Sequence, residues 1–170
     1  MNRRFPRQRK SLWAVVAIIL IMVAMRLLEQ PSLDLGREPV AAEVQVLRVV
    51  DGDTLLVEGN QRVRMLGIDT PETKHPTLPP EPFGAEATEF TEHVVTGHTI
   101  RLEFDIERYD DYGRILAFVF VDGMMLNEQL VAAGLATAEP QYSFRSDYKK
   151  RLIAAEKNAK AQHLGIWSTK

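Results

Sequence analysis

The sequence predicts an α+β fold that is mainly β: a small five-stranded closed barrel of the oligomer-binding (OB-fold) type, with about three helices packed against it and an N-terminal membrane helix ahead of it. Three observations predict it. Apolar β-like stretches recur at 43–50, 53–58 and 61–68, with the turn residues Asp51-Gly52 and Gly59-Asn60 between them. Two further strand patterns and three helical ones follow beyond residue 82. An uncharged run of 14 residues, "LWAVVAIILIMVAM" at 12–25, lies between a basic flank and a linker.

From the N-terminus, residues 1–10 form a basic flank. Residues 11–28 hold the apolar run, extended to its end if Arg26 snorkels toward the interface. A spanning helix needs roughly 17–25 residues and a signal-peptide core about 7–15, so the run sits where the two meet. "MRLLEQ" follows it where small cleavage-site residues would be needed, which favours an uncleaved signal-anchor over a cleaved signal. The basic flank then stays inside and the C-terminal domain is exported, membrane-anchored, or secreted if the segment is cut. Residues 29–41, "EQPSLDLGREPVA", read as a linker, and 42–168 as the domain.

Within the domain, residues 72–82 carry four prolines (Pro76, Pro79, Pro80 and Pro82), which exclude regular helix and most sheet pairing. "FGAEATEFTEHVV" is an amphipathic helix. "TIRLEFDIE" alternates as a half-buried strand, and "GRILAFVFV" reads as a more buried one. Two helices are expected near 124–134 and 146–162.

The 170 residues are 45% hydrophobic, enough for one core. There is no cysteine, which excludes disulfides, thiol nucleophiles and thiolate metal sites. Residues 1–30 carry six Lys/Arg against Glu29, a local +5, so a formal net charge of -2 leaves -7 on residues 31–170. Non-specific nucleic-acid affinity comes largely from phosphate neutralisation, so a polyanionic substrate would need local arginines or a bound cation.

Three stretches could carry chemistry. "VVDGDTLLV" is first of all a hairpin turn. It is not an EF-hand loop, because Leu55 and Leu56 stand where a ligand and a glycine are needed. "RVRMLGIDTPE" ends an apolar strand in Asp69, Thr70 and Glu72, which serve equally as turn residues or as oxygen ligands and a base. Asp53, from an adjacent strand end, could complete a hard-cation site. Arg64 inside that strand either faces solvent or holds an anion. In an ideal strand Arg64 and Asp69 have opposite parity, so they share a site only if the chain twists sharply or bulges at Gly67. In "ERYDDYGRILAFVF", Arg114 opens a strand and could pair with Asp110 or Asp111. His75, His93, His98 and His163 lack metal-helix spacing and are expected at the surface. Trp167 is expected to anchor the last helix.

Together "DGDT", Arg64 five residues before Asp69 in "DTPETKHP", "YGR" and a terminal "IWS", in that order over roughly 41–168, resemble the staphylococcal nuclease family. The resemblance implies calcium-dependent hydrolysis of DNA and RNA to 3′-phosphorylated products. It implies Asp53, Asp69 and the Thr70 carbonyl as calcium ligands, Glu72 as the base that activates water, and Arg64 and Arg114 on the scissile phosphate. Tyr112 would contact substrate. The pair before Gly113-Arg114 is Asp111-Tyr112, where the family commonly has lysine and tyrosine. A downstream aromatic position falls on Pro140, with Tyr142 nearby. The partners implied are DNA and RNA, plus the membrane through the N-terminal helix, for an expected monomer. The alternative is a catalytically inactive module of the same fold that binds nucleic acid or protein at the cell envelope; erosion of Arg64, Glu72 or Arg114 would mark it, and none is eroded. A structural envelope subunit would leave the retained site without a purpose.

Overall fold

The strand that organises the barrel is the longest one, β1 (Ala41–Asp51), because two different partners share its length. The computed structural model describes residues 41–73 and 79–168. The basic flank, the predicted membrane helix, nearly all of the linker, and Lys74 to Leu78 in the proline-rich stretch lie outside them. Among the described residues no helix is long and apolar enough to cross a membrane.

The first half of β1 pairs antiparallel with β5 (Thr99–Glu103), and its second half with β2 (Thr54–Val57). Register shifts between Val46 and Arg48 and between Val49 and Asp51 bend the strand from one partner toward the other, as bulges do. β2 continues antiparallel into β3 (Gln61–Met65), and β5 into β6 (Ile115–Val121). Val63, Arg64 and Met65 of β3 then pair in parallel with Ile115, Leu116 and Ala117 of β6. That last ladder closes five strands into a barrel, which removes both sheet edges. β4 (Ile68–Asp69), β7 (Met124–Met125) and β8 (Thr137–Ala138) are two-residue additions.

The predicted strand 61–68 is therefore two strands. Leu66 and Gly67 form a turn, and β4 leaves the barrel to pair with β8. The predicted strand 99–107 likewise stops at Glu103. Among the described residues there are three α-helices, α1 (Gly84–Val95), α2 (Leu126–Ala132) and α3 (Ser146–Ala161), close to where the periodicity puts them. Trp167 is half-buried on a 3₁₀ turn beyond α3, with Lys160 Nζ 4.3 Å from its ring centre. His93, His98 and His163 are exposed.

The barrel interior is filled by alternate strand residues, among them Leu55, Val63, Met65, Ile100, Leu102 and Phe118, all fully buried. Leu126 and Leu130 of α2 and Leu152 of α3 join the same core. Asn127 is buried but satisfied: its Oδ1 accepts the Val119 N–H and its Nδ2 donates to the Leu66 carbonyl, both at 2.9 Å. It thereby pins α2 to the turn that precedes Asp69.

Tyr148 of α3 meets Phe118 edge-on at 4.7 Å and donates a 2.6 Å hydrogen bond to the buried Glu103. Burial, then that hydrogen bond, pushes its hydroxyl up to about 12. Above pH 10 the unfolded chain loses this proton and the folded one keeps it. The stabilisation is complete below pH 10 and should fall by about 1.4 kcal/mol per unit as pH rises toward 12. Urea midpoints at pH 9, 10.5 and 11.5 should show that slope in wild type and a shallower one in Tyr148→Phe.

Candidate functional site

Asp53 stands at the mouth of the β1–β2 hairpin, and it is almost fully buried, at 5% exposure. A carboxylate buried that far needs partners on every side. Its Oδ1 accepts the Thr54 hydroxyl at 3.0 Å; its Oδ2 accepts the Thr70 N–H at 2.9 Å and the Thr70 hydroxyl at 3.0 Å. The hairpin thus holds the segment that begins at Asp69 from 17 residues away. Gly52 makes the close approach possible, since a Cβ there would lie 2.8 Å from Ala87 Cβ and from Thr70 Oγ1.

Arg64 joins the two acids. Its Nη1 forms an ion pair with Asp53 Oδ2, a buried contact without hydrogen-bond geometry, and its Nη2 donates to Asp69 Oδ1 at 2.5 Å. Strand parity alone would have sent Arg64 and Asp69 to opposite faces. The Leu66–Gly67 turn undoes that, with Gly67 at φ +78°. A Cβ at Gly67 would also lie 2.7 Å from Phe144 Cζ and 3.0 Å from Leu152 Cδ1. Gly67→Ala is therefore expected to cost about 2–4 kcal/mol, from left-handed backbone strain and overpacking together. A urea titration would measure it, and an unchanged midpoint would mean the turn relaxes without cost.

Arg64 also lines a groove of about 730 Å³, and Arg114, Tyr112, Glu139 and Tyr142 line it too. Arg114 is placed by Asp110, which accepts the Arg114 N–H at 2.9 Å and its Nε at 2.6 Å, as well as the Tyr112 N–H at 2.9 Å. Burial works to raise the Asp110 carboxyl's pKa, but these bonds, those from Arg114 above all, outweigh it and hold the group below its ordinary range. The Arg114 guanidinium carbon lies 5.5 Å from the exposed Tyr112 ring centre. Of the two acids that the sequence offers Arg114, Asp110 takes it.

The structure brings Asp53, Arg64, Asp69 and Thr70 into one cluster, and Arg64, Tyr112 and Arg114 onto one groove. It does not put Glu72 on the groove wall. Glu72 is a neighbour of Asp51 that helps hold that carboxylate ionised, and its backbone N–H donates to Glu81 Oε2 at 3.1 Å. Asp51 escaped the sequence reading, where it counted only as a turn residue. It is nearly buried and accepts the Gly52 N–H and the Thr73 hydroxyl, each at 3.0 Å, and the Thr88 hydroxyl at 3.3 Å. Burial opposes its ionisation, but the bonds to Glu72, Gly52 and Thr73 prevail and keep it below the usual carboxylate range. Its signal was present: the first acid of Asp-Gly-Asp is as well placed as the second.

The family described as staphylococcal nuclease homologue matches residues 62–169. This chain belongs to the staphylococcal nuclease family. A thermonuclease of Staphylococcus hyicus is 38% identical to it over 161 residues, covering 91% of this chain and 93% of the relative. A thermonuclease of Staphylococcus intermedius is 41% identical over 125 residues, or 72% and 74% of the two chains. Endonuclease YncB of Bacillus subtilis (strain 168) is 40% identical over 125 residues, or 71% and 59%. The closed five-stranded barrel with three helices is the fold expected of a staphylococcal nuclease.

The two carboxylates gathered here, Asp53 and Asp69, are hard oxygen donors. One guanidinium already bridges the two acids, so both reach a single positive charge. That convergence and that chemistry fit a hard divalent cation. Among the described residues no group of three or more His, Asp or Glu side chains could hold an ion, so backbone, water or substrate oxygens would have to complete its shell.

Proposed function

We propose that the domain over residues 42–168 is a calcium-dependent nuclease that hydrolyses phosphodiester bonds of DNA and RNA to 3′-phosphorylated products. The nuclease class rests on the family and on the thermonuclease and endonuclease relatives. The observation that carries the finer reading is the Arg64 fork across Asp53 and Asp69, at the edge of a groove that Arg114 shares.

Each residue has a physical task. Asp53, Asp69 and the Thr70 carbonyl would hold calcium, which when bound would neutralise charge on a phosphoryl oxygen. Arg64 and Arg114 hydrogen-bond the equatorial oxygens, whose charge grows in the transition state. Glu72 takes the proton of the attacking water, for which it must leave Asp51 and turn toward the groove. The Tyr112 ring, exposed at the rim, offers an apolar face to a sugar or base. Residues 11–28 anchor the domain on the outer side of a membrane, which fractionation of cells making the full chain would test.

The deciding experiment is cleavage of single-stranded DNA and of RNA by residues 31–170 with calcium, with chelator, and with magnesium. Calcium should support cleavage that leaves 3′-phosphate ends, chelation should abolish it, and magnesium should serve poorly because it demands strict octahedral geometry. Equal rates with both ions would remove calcium from its role. A folded, calcium-replete domain that cuts neither substrate would be a binding module.

A further inference from the structure

Glu139 has no task in the scheme above, yet the fold places it beside the phosphate grip. The β4–β8 ladder sets Ala138 opposite Ile68 and Thr137 opposite Asp69. It continues by one more backbone bond, the Glu139 N–H donating to the Gly67 carbonyl at 2.9 Å. Residue 139 is thereby fixed against the turn that swings Asp69 toward Arg64. Its half-buried side chain forms part of the groove wall that Arg64 and Arg114 also line, and its Oε1 accepts Gln141 Nε2 at 3.2 Å. Among the described residues no cation forms an ion pair with it. Burial first, then Asp69, raise its pKa and Arg64 opposes them, so the carboxyl shares the electrostatic field of the cluster.

We propose that Glu139 is a charge filter for the phosphate that Arg64 and Arg114 hold: it admits a monoanionic diester and disfavours a dianionic monoester. This rests on the reading that the products end in a 3′-phosphate. An internal diester carries one negative charge, whereas a terminal phosphate carries nearly two at neutral pH, its second pKa being about 6. Two arginines attract the dianion more strongly than the monoanion, so on their own they would hold the product better than the substrate. A fixed carboxylate on the same wall repels each ligand in proportion to its charge and offsets that bias. Glu139 thus directs the groove toward internal linkages and hastens release of the phosphorylated end.

The test is titration calorimetry in calcium buffer at pH 8. The ligands are thymidine 3′-phosphate and its methyl ester, bound to wild type, Glu139→Gln and Glu139→Asp. Glutamine keeps the side-chain volume and a partner for Gln141. In Glu139→Gln the ester should bind about threefold more tightly and the monoester about tenfold, because repulsion doubles with ligand charge. Glu139→Asp should keep the wild-type ratio. An equal gain for both ligands, or none, would overturn the filter. The expected shift in Glu139→Gln, together with a wild-type protein that cuts no nucleic acid, would sink the nuclease reading alone. An active enzyme whose monoester-to-diester ratio ignores Glu139 would sink only the filter, and a domain that binds neither ligand and cuts no nucleic acid overturns both.

Discussion

Arg64→Lys is expected to lower turnover on single-stranded DNA by about two to three orders of magnitude while the domain stays folded. Arg64 spans two carboxylates at once, ion-paired to Asp53 through Nη1 and hydrogen-bonded to Asp69 through Nη2. A planar fork can present the same two N–H groups to two phosphate oxygens, and an ammonium cannot, since it is a point charge with no fixed plane. Lysine keeps a positive charge near the buried Asp53, so the substitution spares the fold the larger cost of an unpaired interior carboxylate. Turnover under saturating calcium, set beside a urea titration, separates the two effects. Near wild-type rates in a folded Arg64→Lys protein would mean that the guanidinium serves only to hold the acids. Arg114→Lys is the natural companion, because the bond from Arg114 Nε to Asp110 already fixes its plane.

Glu72→Gln is expected to remove about 10²–10⁴ of the rate and to leave stability nearly untouched. The two chains differ only in a proton acceptor. Glutamine can donate to Asp51, and the two bonds that the Glu72 backbone makes with Glu81 do not involve the Glu72 side chain. Calcium affinity should therefore persist while the chemical step slows, so a single-turnover assay at saturating metal is the measurement to make. Wild-type rates would transfer the role of base to another group, and Asp51, its hydrogen-bonded neighbour, would be the first to examine.

Glu139 could not have been found by pattern. It lies 70 residues after Asp69 in a stretch whose composition reads as a loop, and only the β4–β8 ladder brings it near. Asp51 is the opposite case. It was visible in the motif and passed over because a turn already accounted for it, until its hydrogen bonds to Thr73 and Thr88 drew the helix and the Glu72 segment together.

By itself the sequence determined most of the strands, the helices and which residues are candidates for a site, because those are local properties. Side-chain alternation, helical period and Asp-Gly turns are written within about ten residues, and so is an arginine five places before an aspartate. It also excluded thiolate metal sites, since the chain has no cysteine. Only the tertiary structure decided that these residues converge. The parallel β3–β6 ladder closes the barrel, the left-handed Gly67 turns Asp69 back onto Arg64, and Asp53 reaches Thr70 across a hairpin. Each of these depends on groups distant in sequence, or on a backbone angle that glycine permits without requiring. Periodicity predicted opposite faces for Arg64 and Asp69, and a single turn, packed against Phe144 and pinned by Asn127, reversed it.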